Sequence, residues 1–264
     1  MTAVSALRGE MLDVRGTRIF VRRGGSGEPL LFLHGPRGID DDAELLATFA
    51  QHFDVIAPDH PGFGRSDDPE WLDTIGDLAY FYADVLERLD LHGVHLVGHA
   101  LGGWTAVQLA LRDAARLRSL TLASAAGIRV PGVARGDMYI STPQQLGEML
   151  FVDPALQAEI ARVEEDPERV SLITKNRVAS AKLTWHPRLY DPTLAKWLHR
   201  VKTPTLVLWG ERDRVIPVDH AHAYARAIAG ASVHILPGAG HLIDQERPAE
   251  FAAAVRTFAK EIGA

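Results

Sequence analysis

Apolar runs and amphipathic stretches alternate along most of the chain. MLDVRG and TRIFVRRG, near the N-terminus, interleave apolar and polar residues with period two, as half-buried strands do, and GGSGEP reads as the turn after them. LLFLHG at 30–35 is a continuous apolar run ending in glycine, the pattern of a buried parallel strand. FDVIAPD, VHLVGH at 94–99, the strand at 118–123, TPTLVLWG at 203–210 and ASVHILPG at 231–238 continue the series. Between them, apolar residues recur at helical spacing. DDDAELLATFAQHF puts acidic residues at the front of a helix starting near Asp41. Further helices are predicted over 73–91, Leu101 to Arg112, 218–229 and 247–261.

Strand and helix in alternation imply an α/β fold: a mostly parallel, eight-stranded sheet with helices on both faces. One connection breaks the rhythm. About 80 residues separate the strand at 118–123 from the strand at 204–209, too many for a loop between neighbours. Helical pieces are predicted there at 143–151, 154–164 and 166–182, with breaks near Pro187 and Pro192. The expected organisation is a core of residues 1–125 and 201–264 with an inserted helical lid over 126–200.

Composition narrows the chemistry. The chain has 264 residues, formal charge −6 and no cysteine. That excludes disulfides, thiolate metal sites and a cysteine nucleophile. The acidic balance and scattered arginines argue against nucleic acid. No apolar stretch approaches the roughly 20 residues that span a bilayer, and MTAVSALRGEMLDVRG lacks a signal-peptide pattern. A cytoplasmic protein, monomer or homodimer, that binds neither membrane nor nucleic acid is expected. No acidic or histidine cluster has metal-ligand spacing, so no metal and no cofactor are expected.

Val97-Gly98-His99-Ala100-Leu101-Gly102-Gly103 passes from strand to helix with almost no loop. It has the frame of a nucleophile elbow, G-x-S-x-G, with Ala100 where serine belongs. Glycines are needed where backbones come close. The helix N-terminus offers free N–H groups to an anion. By itself, the same string also fits a tight turn with no chemistry.

Other motifs accompany it. His34-Gly35 closes the strand at 30–35, and Asp59-His60-Pro61-Gly62-Phe63-Gly64-Arg65-Ser66-Asp67 follows the next strand. Gly210-Glu211-Arg212-Asp213 closes the strand at 203–210, and Gly238-Ala239-Gly240-His241 follows the last strand. Together these resemble the α/β-hydrolase superfamily over nearly the whole chain outside the lid. The resemblance implies that Asp213 orients His241, that His241 is the general base, and that Ala100 holds the nucleophile's place. It also implies that the Leu101 N–H donates to the oxyanion hole. The family's other donor usually comes from the residue after the His-Gly pair. Here that is Pro36, which has no N–H. Arg37 or Gly38 takes over through a shifted loop, or one donor is missing; a missing donor costs about 3–4 kcal/mol of transition-state stabilisation. Arg37 is a candidate for binding negative charge near Ala100. The pocket is expected to draw on Gly35, His99, Ser124, Tyr139, Trp185, Ile216 and Leu242. His34 and His60 read as structural hydrogen-bonders.

Three accounts of Ala100 stand. It replaces a serine that would make the protein a hydrolase of a small, largely apolar ester or lactone. It replaces an aspartate, as in haloalkane dehalogenases and epoxide hydrolases, although those usually carry an aromatic or basic residue where Leu101 stands. Tyr139 and Tyr190 are positioned in the sequence to mimic epoxide-activating tyrosines. Or alanine is native, in a lyase, isomerase, cyclase or binding protein. The Ser124-Ala-Ala-Gly-Ile segment is also similar to hydrolases of carbon–carbon bonds in ring-cleavage products. Those often have an aromatic residue soon after the catalytic histidine, where Leu242, Ile243 and Asp244 stand here.

Overall fold

The computed structural model describes residues 7–162 and 165–263. The last two residues of the helix predicted at 154–164, and the outermost residues of the predicted core at 1–6 and 264, lie outside the described residues.

The strands are β1 (Arg8–Val14), β2 (Thr17–Gly25), β3 (Pro29–Leu33), β4 (Asp54–Pro58), β5 (Val94–His99), β6 (Leu117–Ala123), β7 (Thr205–Gly210) and β8 (Ser232–Leu236). They form one eight-stranded sheet in the order β1-β2-β4-β3-β5-β6-β7-β8. β1 and β2 pair antiparallel, β2 pairs antiparallel with β4, and every later pairing is parallel. The alternating early sequence became the antiparallel edge, and the continuous apolar runs became the buried parallel centre. β3 and β5 are nearly or wholly buried along their lengths. The β8 segment is an edge strand, largely exposed at its start.

Helices α1 (Ala43–Phe49), α2 (Ile75–Arg88) and α3 (Leu101–Arg112) fall in the core half of the chain. A 3₁₀ turn over Asp40–Asp42 precedes α1, so the acidic run forms the entrance to the helix rather than its first turn. α2 starts where a capping box allows: Thr74 Oγ accepts from the Asp77 N–H at 3.1 Å, and the Asp77 carboxylate accepts from the Thr74 N–H at 2.8 Å.

Between β6 and β7 lie α4 (Pro143–Leu150), α5 (Pro154–Ala161), α6 (Pro167–Thr184) and α7 (Leu194–Trp197). The first three each open with proline behind an N-cap side chain, from Thr142, Asp153 and Asp166. Proline at the first helical position loses nothing, because that N–H has no intrahelical acceptor. α8 (Asp219–Ala227), α9 (Ile243–Glu246) and α10 (Pro248–Gly263) complete the chain.

Apolar side chains pack on both faces of the sheet. On one face Ile75, Leu78, Tyr82 and Val85 of α2 join Leu101, Trp104 and Val107 of α3. On the other, Phe49 of α1 meets Phe251 of α10 with ring centroids 5.9 Å apart. Each such large apolar side chain contributes about 1.5–3 kcal/mol by leaving water. These layers hold β3, β5, β6 and β7 rigid. The candidate chemistry sits where their C-terminal ends give way to loops.

Candidate active site

Ala100 stands between β5 and α3 with φ 49° and ψ −108°. A non-glycine residue in this region costs on the order of 1–3 kcal/mol, so the surroundings must over-determine it. They do. Its N–H donates to the Ala123 carbonyl at 2.9 Å, and its own carbonyl accepts from Trp104 at 3.2 Å and Ala126 at 3.0 Å. The flanking glycines have no room to be anything else. A Cβ on Gly98 would lie 2.3 Å from the Gly102 carbonyl oxygen, and one on Gly102 would lie 2.0 Å from the Leu33 carbonyl oxygen. The turn is thus built from backbone contact, and it presents position 100 at the head of α3.

The two other motif residues meet beside it. His241 Nδ1 lies 2.8 Å from Asp213 Oδ2, with both side chains buried. The other Asp213 oxygen accepts from the Val215 N–H at 2.9 Å and the Ile216 N–H at 2.8 Å. A carboxylate used this fully is fixed in place. Because it only accepts, it puts the hydrogen of a neutral His241 on Nδ1 and leaves a lone pair on Nε2. That Nε2 is buried and has no partner among the described residues. It is an acceptor waiting for a proton. Glu211, the other acid near the end of β7, is turned away and accepts from the Gly238 N–H at 2.9 Å.

Residues that sequence patterns did not indicate secure the His241 loop. The His241 and Leu242 N–H groups both donate to the Leu150 carbonyl, at 2.9 and 3.1 Å. Glu246 accepts from Gly240 at 2.6 Å with one oxygen, and from Val152 and Asp153, both at 2.7 Å, with the other. The end of α4 therefore holds the histidine loop.

On the opposite side of the elbow, Gly35-Pro36-Arg37-Gly38 makes a turn closed by the Gly38 N–H on the Gly35 carbonyl at 3.3 Å. Of the two backbone donors considered in place of Pro36, Gly38 is thereby engaged. The N–H groups of Arg37 and Leu101 have no hydrogen-bond partner among the described residues. Asn176 of α6, almost wholly buried, pins the turn. Its amide nitrogen donates to the Arg37 carbonyl at 2.7 Å, and its oxygen accepts from the Gly64 N–H at 2.8 Å. No sequence signal marked Asn176, because its partners are 139 and 112 positions away. The Arg37 guanidinium is tied to Asp41 at 2.7 Å, and its Nε is buried without a partner.

A cavity of about 120 Å³ lies between this turn and the insertion. Pro36, Arg37, Met138, Leu146, Ile173 and Ser180 are on its mostly apolar wall. Of the predicted pocket residues, Tyr139 stands on that wall. Its hydroxyl is bonded to Ser180 and Thr184, both at 2.8 Å. Gly35, His99, Ser124, Ile216 and Leu242 are instead buried around the elbow and the Asp213 and His241 loops. Trp185 departs from that expectation: the residue is 53% exposed, its ring lies under the Arg188 guanidinium at 4.3 Å, and it is off the cavity wall. Tyr190 likewise lies beneath arginines, with the Arg135 guanidinium 5.5 Å from its ring.

His34 and His60 bond each other's backbone. The His60 N–H donates to His34 Nε2, and His60 Nε2–H donates to the His34 carbonyl, both at 3.0 Å. Burial holds both below the ordinary histidine range, so they stay neutral. Among the described residues no histidine and carboxylate cluster could hold a metal, and no helix is long and apolar enough to cross a membrane.

This sheet order and elbow, with an acid after β7 and a histidine after β8, define an α/β-hydrolase. The chain belongs to the alpha/beta hydrolase fold family, which is matched over residues 28–247. Among its relatives, a poly(3-hydroxyalkanoate) depolymerase of Ectopseudomonas oleovorans is 31% identical, covering 88% of this chain and 84% of the relative. A 2-hydroxymuconate semialdehyde hydrolase of a Pseudomonas strain is 27% identical, covering 97% of this chain and 95% of its own. The crystal structure of a bacterial membrane phospholipase A superposes with TM-score 0.82 at 25% identity, over 98% of this chain and 87% of that one.

Proposed function

We propose that this fold, with serine at position 100, is a serine-type hydrolase of a small, largely apolar carboxylic ester or lactone. On this reading Ala100 leaves a chain that binds its substrate and cannot acylate. One observation carries it: the lone pair of His241 Nε2 is buried, unpartnered and backed by Asp213, next to an elbow strained at the residue that would carry the hydroxyl. Such strain in a residue with no functional atom makes sense as the frame of a nucleophile.

The steps follow from the groups present. A serine hydroxyl at position 100 passes its proton to His241 Nε2 as its oxygen attacks the acyl carbon. Asp213 stabilises the imidazolium that forms. The carbonyl oxygen, now negative, is met by the free N–H of Leu101 at the head of α3. The Arg37 N–H, unpaired on the pinned turn, is the second donor, taking the place Pro36 cannot fill. His241 returns the proton to the leaving alcohol, and water repeats the cycle on the acyl-enzyme. Helices α4–α6 act as the lid, and the apolar cavity beside Tyr139 takes the acyl chain.

The relative named as a depolymerase of a hydroxyalkanoate polymer supports the choice of an ester. The relatives named as a 2-hydroxy-6-oxo-6-phenylhexa-2,4-dienoate hydrolase and a 2-hydroxymuconate semialdehyde hydrolase favour carbon–carbon cleavage as the second reading.

The test is Ala100→Ser assayed on short p-nitrophenyl esters and on a vinylogous diketone acid. Restoring the hydroxyl should raise kcat by about 10⁴-fold or more, and adding His241→Ala should abolish that gain. A gain confined to the diketone moves the assignment to carbon–carbon hydrolysis. No gain on either substrate removes the hydrolase reading.

A further inference from the structure

Three buried polar side chains beside His241 have no part in the steps above. Asp42 ends the 3₁₀ turn before α1, Asp244 lies in α9, and His99 ends β5. They are 2%, 3% and 0% exposed. His99 Nε2 is 3.0 Å from the His241 carbonyl oxygen. A carbonyl only accepts, so Nε2 carries the hydrogen. His99 Nδ1 is 3.3 Å from Asp244 Oδ2.

As ionised carboxylates the two acids are acceptors only and offer each other nothing. Both Asp42 oxygens, one Asp244 oxygen and His99 Nδ1 are then left without a partner. Stranding that many buried polar atoms is very costly. One proton on Asp42 removes the conflict, because its hydroxyl then donates to Asp244. Burial, followed by the charge and hydrogen bond of Asp244, raises Asp42 well above the usual carboxylate range. Asp41 adds to this, and Arg37, itself paired with Asp41, opposes it. Burial lowers His99 below the ordinary histidine range, although Asp244 and Asp213 nearby favour its charged form. His99 also faces His241 and neutral His34. With a proton on Asp42, the two acids carry at most one negative charge between them.

We propose that Asp42, Asp244 and His99 are positioning residues that form a proton-holding support for His241. It fixes the main chain of His241 through His99 and spares the imidazole a second buried negative charge. The proposal rests on the hydrolase reading only for what His241 does; the proton is held whatever the reaction.

The test uses the chain as it stands, with alanine at position 100. Urea unfolding is measured from about pH 5 to pH 8 for the parent and for Asp42→Asn, whose amide replaces the protonated acid. The unfolded chain releases the Asp42 proton above its ordinary value of about 3.9, and the folded chain keeps it. The parent's unfolding constant should therefore rise relative to that of Asp42→Asn by about tenfold per pH unit. Parallel curves overturn the proposal. If Asp42→Asn does not fold, the parent labelled with ¹³C-aspartate decides by infrared spectroscopy. A carboxylic-acid carbonyl stretch persisting at neutral pH supports the held proton, and its absence overturns it. His99→Gln keeps a donor for the His241 carbonyl and an acceptor facing Asp244, whereas His99→Leu keeps neither. The His241 imidazole resonances, followed by NMR, should stay close to the parent's in His99→Gln and be displaced in His99→Leu. Equal displacement in both overturns the positioning role. None of these measurements needs turnover, so a failure of Ala100→Ser to gain activity leaves them interpretable.

Discussion

The elbow around Ala100 and the helices α4–α7 between β6 and β7 flank one site, and they are held by different means. At the elbow, backbone meets backbone. The Gly98 and Gly102 Cα atoms approach carbonyl oxygens so closely that a single methyl collides, and hydrogen bonds from β6 and α3 clamp the strained residue. The segment between β6 and β7 is held partly by apolar residues such as Leu150, Leu183 and Leu194 in the shared core, partly by the Leu150 carbonyl that receives the His241 loop, and along α6 by long side chains reaching core loops. Lys175 Nζ donates to the Gly64 and Ser66 carbonyls at 2.9 and 2.6 Å, Asn176 bridges two core loops, and Arg169 meets Asp41 at 2.9 Å. Its outer surface leaves Ile140 and Val178 76% and 64% exposed. Segments with less buried apolar surface open at lower free energy. The chemistry is therefore mounted on the part that cannot adjust, and the pocket wall on the part that can.

The comparison breaks first at the glycines. Gly102→Ala places a methyl against the Leu33 carbonyl and should cost at least about 3 kcal/mol in urea unfolding, or prevent folding. A loss below about 1 kcal/mol would mean that the elbow is more pliant than its contacts indicate.

Asn176→Ala leaves the Gly64 N–H and the Arg37 carbonyl without their partner and should cost about 1–3 kcal/mol. In an Ala100→Ser background it should also lower kcat more than it raises KM, because the turn bearing the Arg37 N–H is released. A change confined to KM would make Asn176 part of the pocket wall alone.

Acid tests the core from another side. His34 and His60 are held neutral below the ordinary histidine value of about 6.5, so between the folded and unfolded midpoints the unfolded chain binds more protons. Stability is then present above about pH 6.5 and lost as pH falls, by up to about 1.4 kcal/mol per pH unit for each histidine. Urea midpoints that stay flat from about pH 7 to pH 5 would contradict this. The smallest effect belongs to the rim of the insertion. Lys182 and Asp73 are 3.4 Å apart with both side chains well exposed, and Lys182→Ala should change stability by less than about 0.5 kcal/mol.

The parallel centre of the sheet was legible because buried strands need continuous apolar runs, and β3, β5 and β7 have them. The elbow was legible because its glycines stand in a fixed frame between a strand and a helix. Asp213 and His241 were marked by the motifs that close β7 and follow β8. Other features were not. Two short helices, α7 and α9, carry four residues each, too few for a periodicity to register. The acidic run at 40–42 suggested a helix start, while Asp42 is in fact buried against Asp244. Trp185 looked like a pocket residue from its position in the insertion, yet it stacks under Arg188 at the surface.

The sequence by itself determined the sheet, the elbow and the alanine at position 100, because each depends on period, on glycine or on one residue's identity. Only the tertiary structure decided that Asn176 pins the Gly35–Gly38 turn, that the end of α4 holds the His241 loop, and that Asp42, Asp244 and His99 meet beside it. Those contacts join residues roughly 90 to 200 positions apart, and no local pattern encodes which distant polar group will satisfy a buried one.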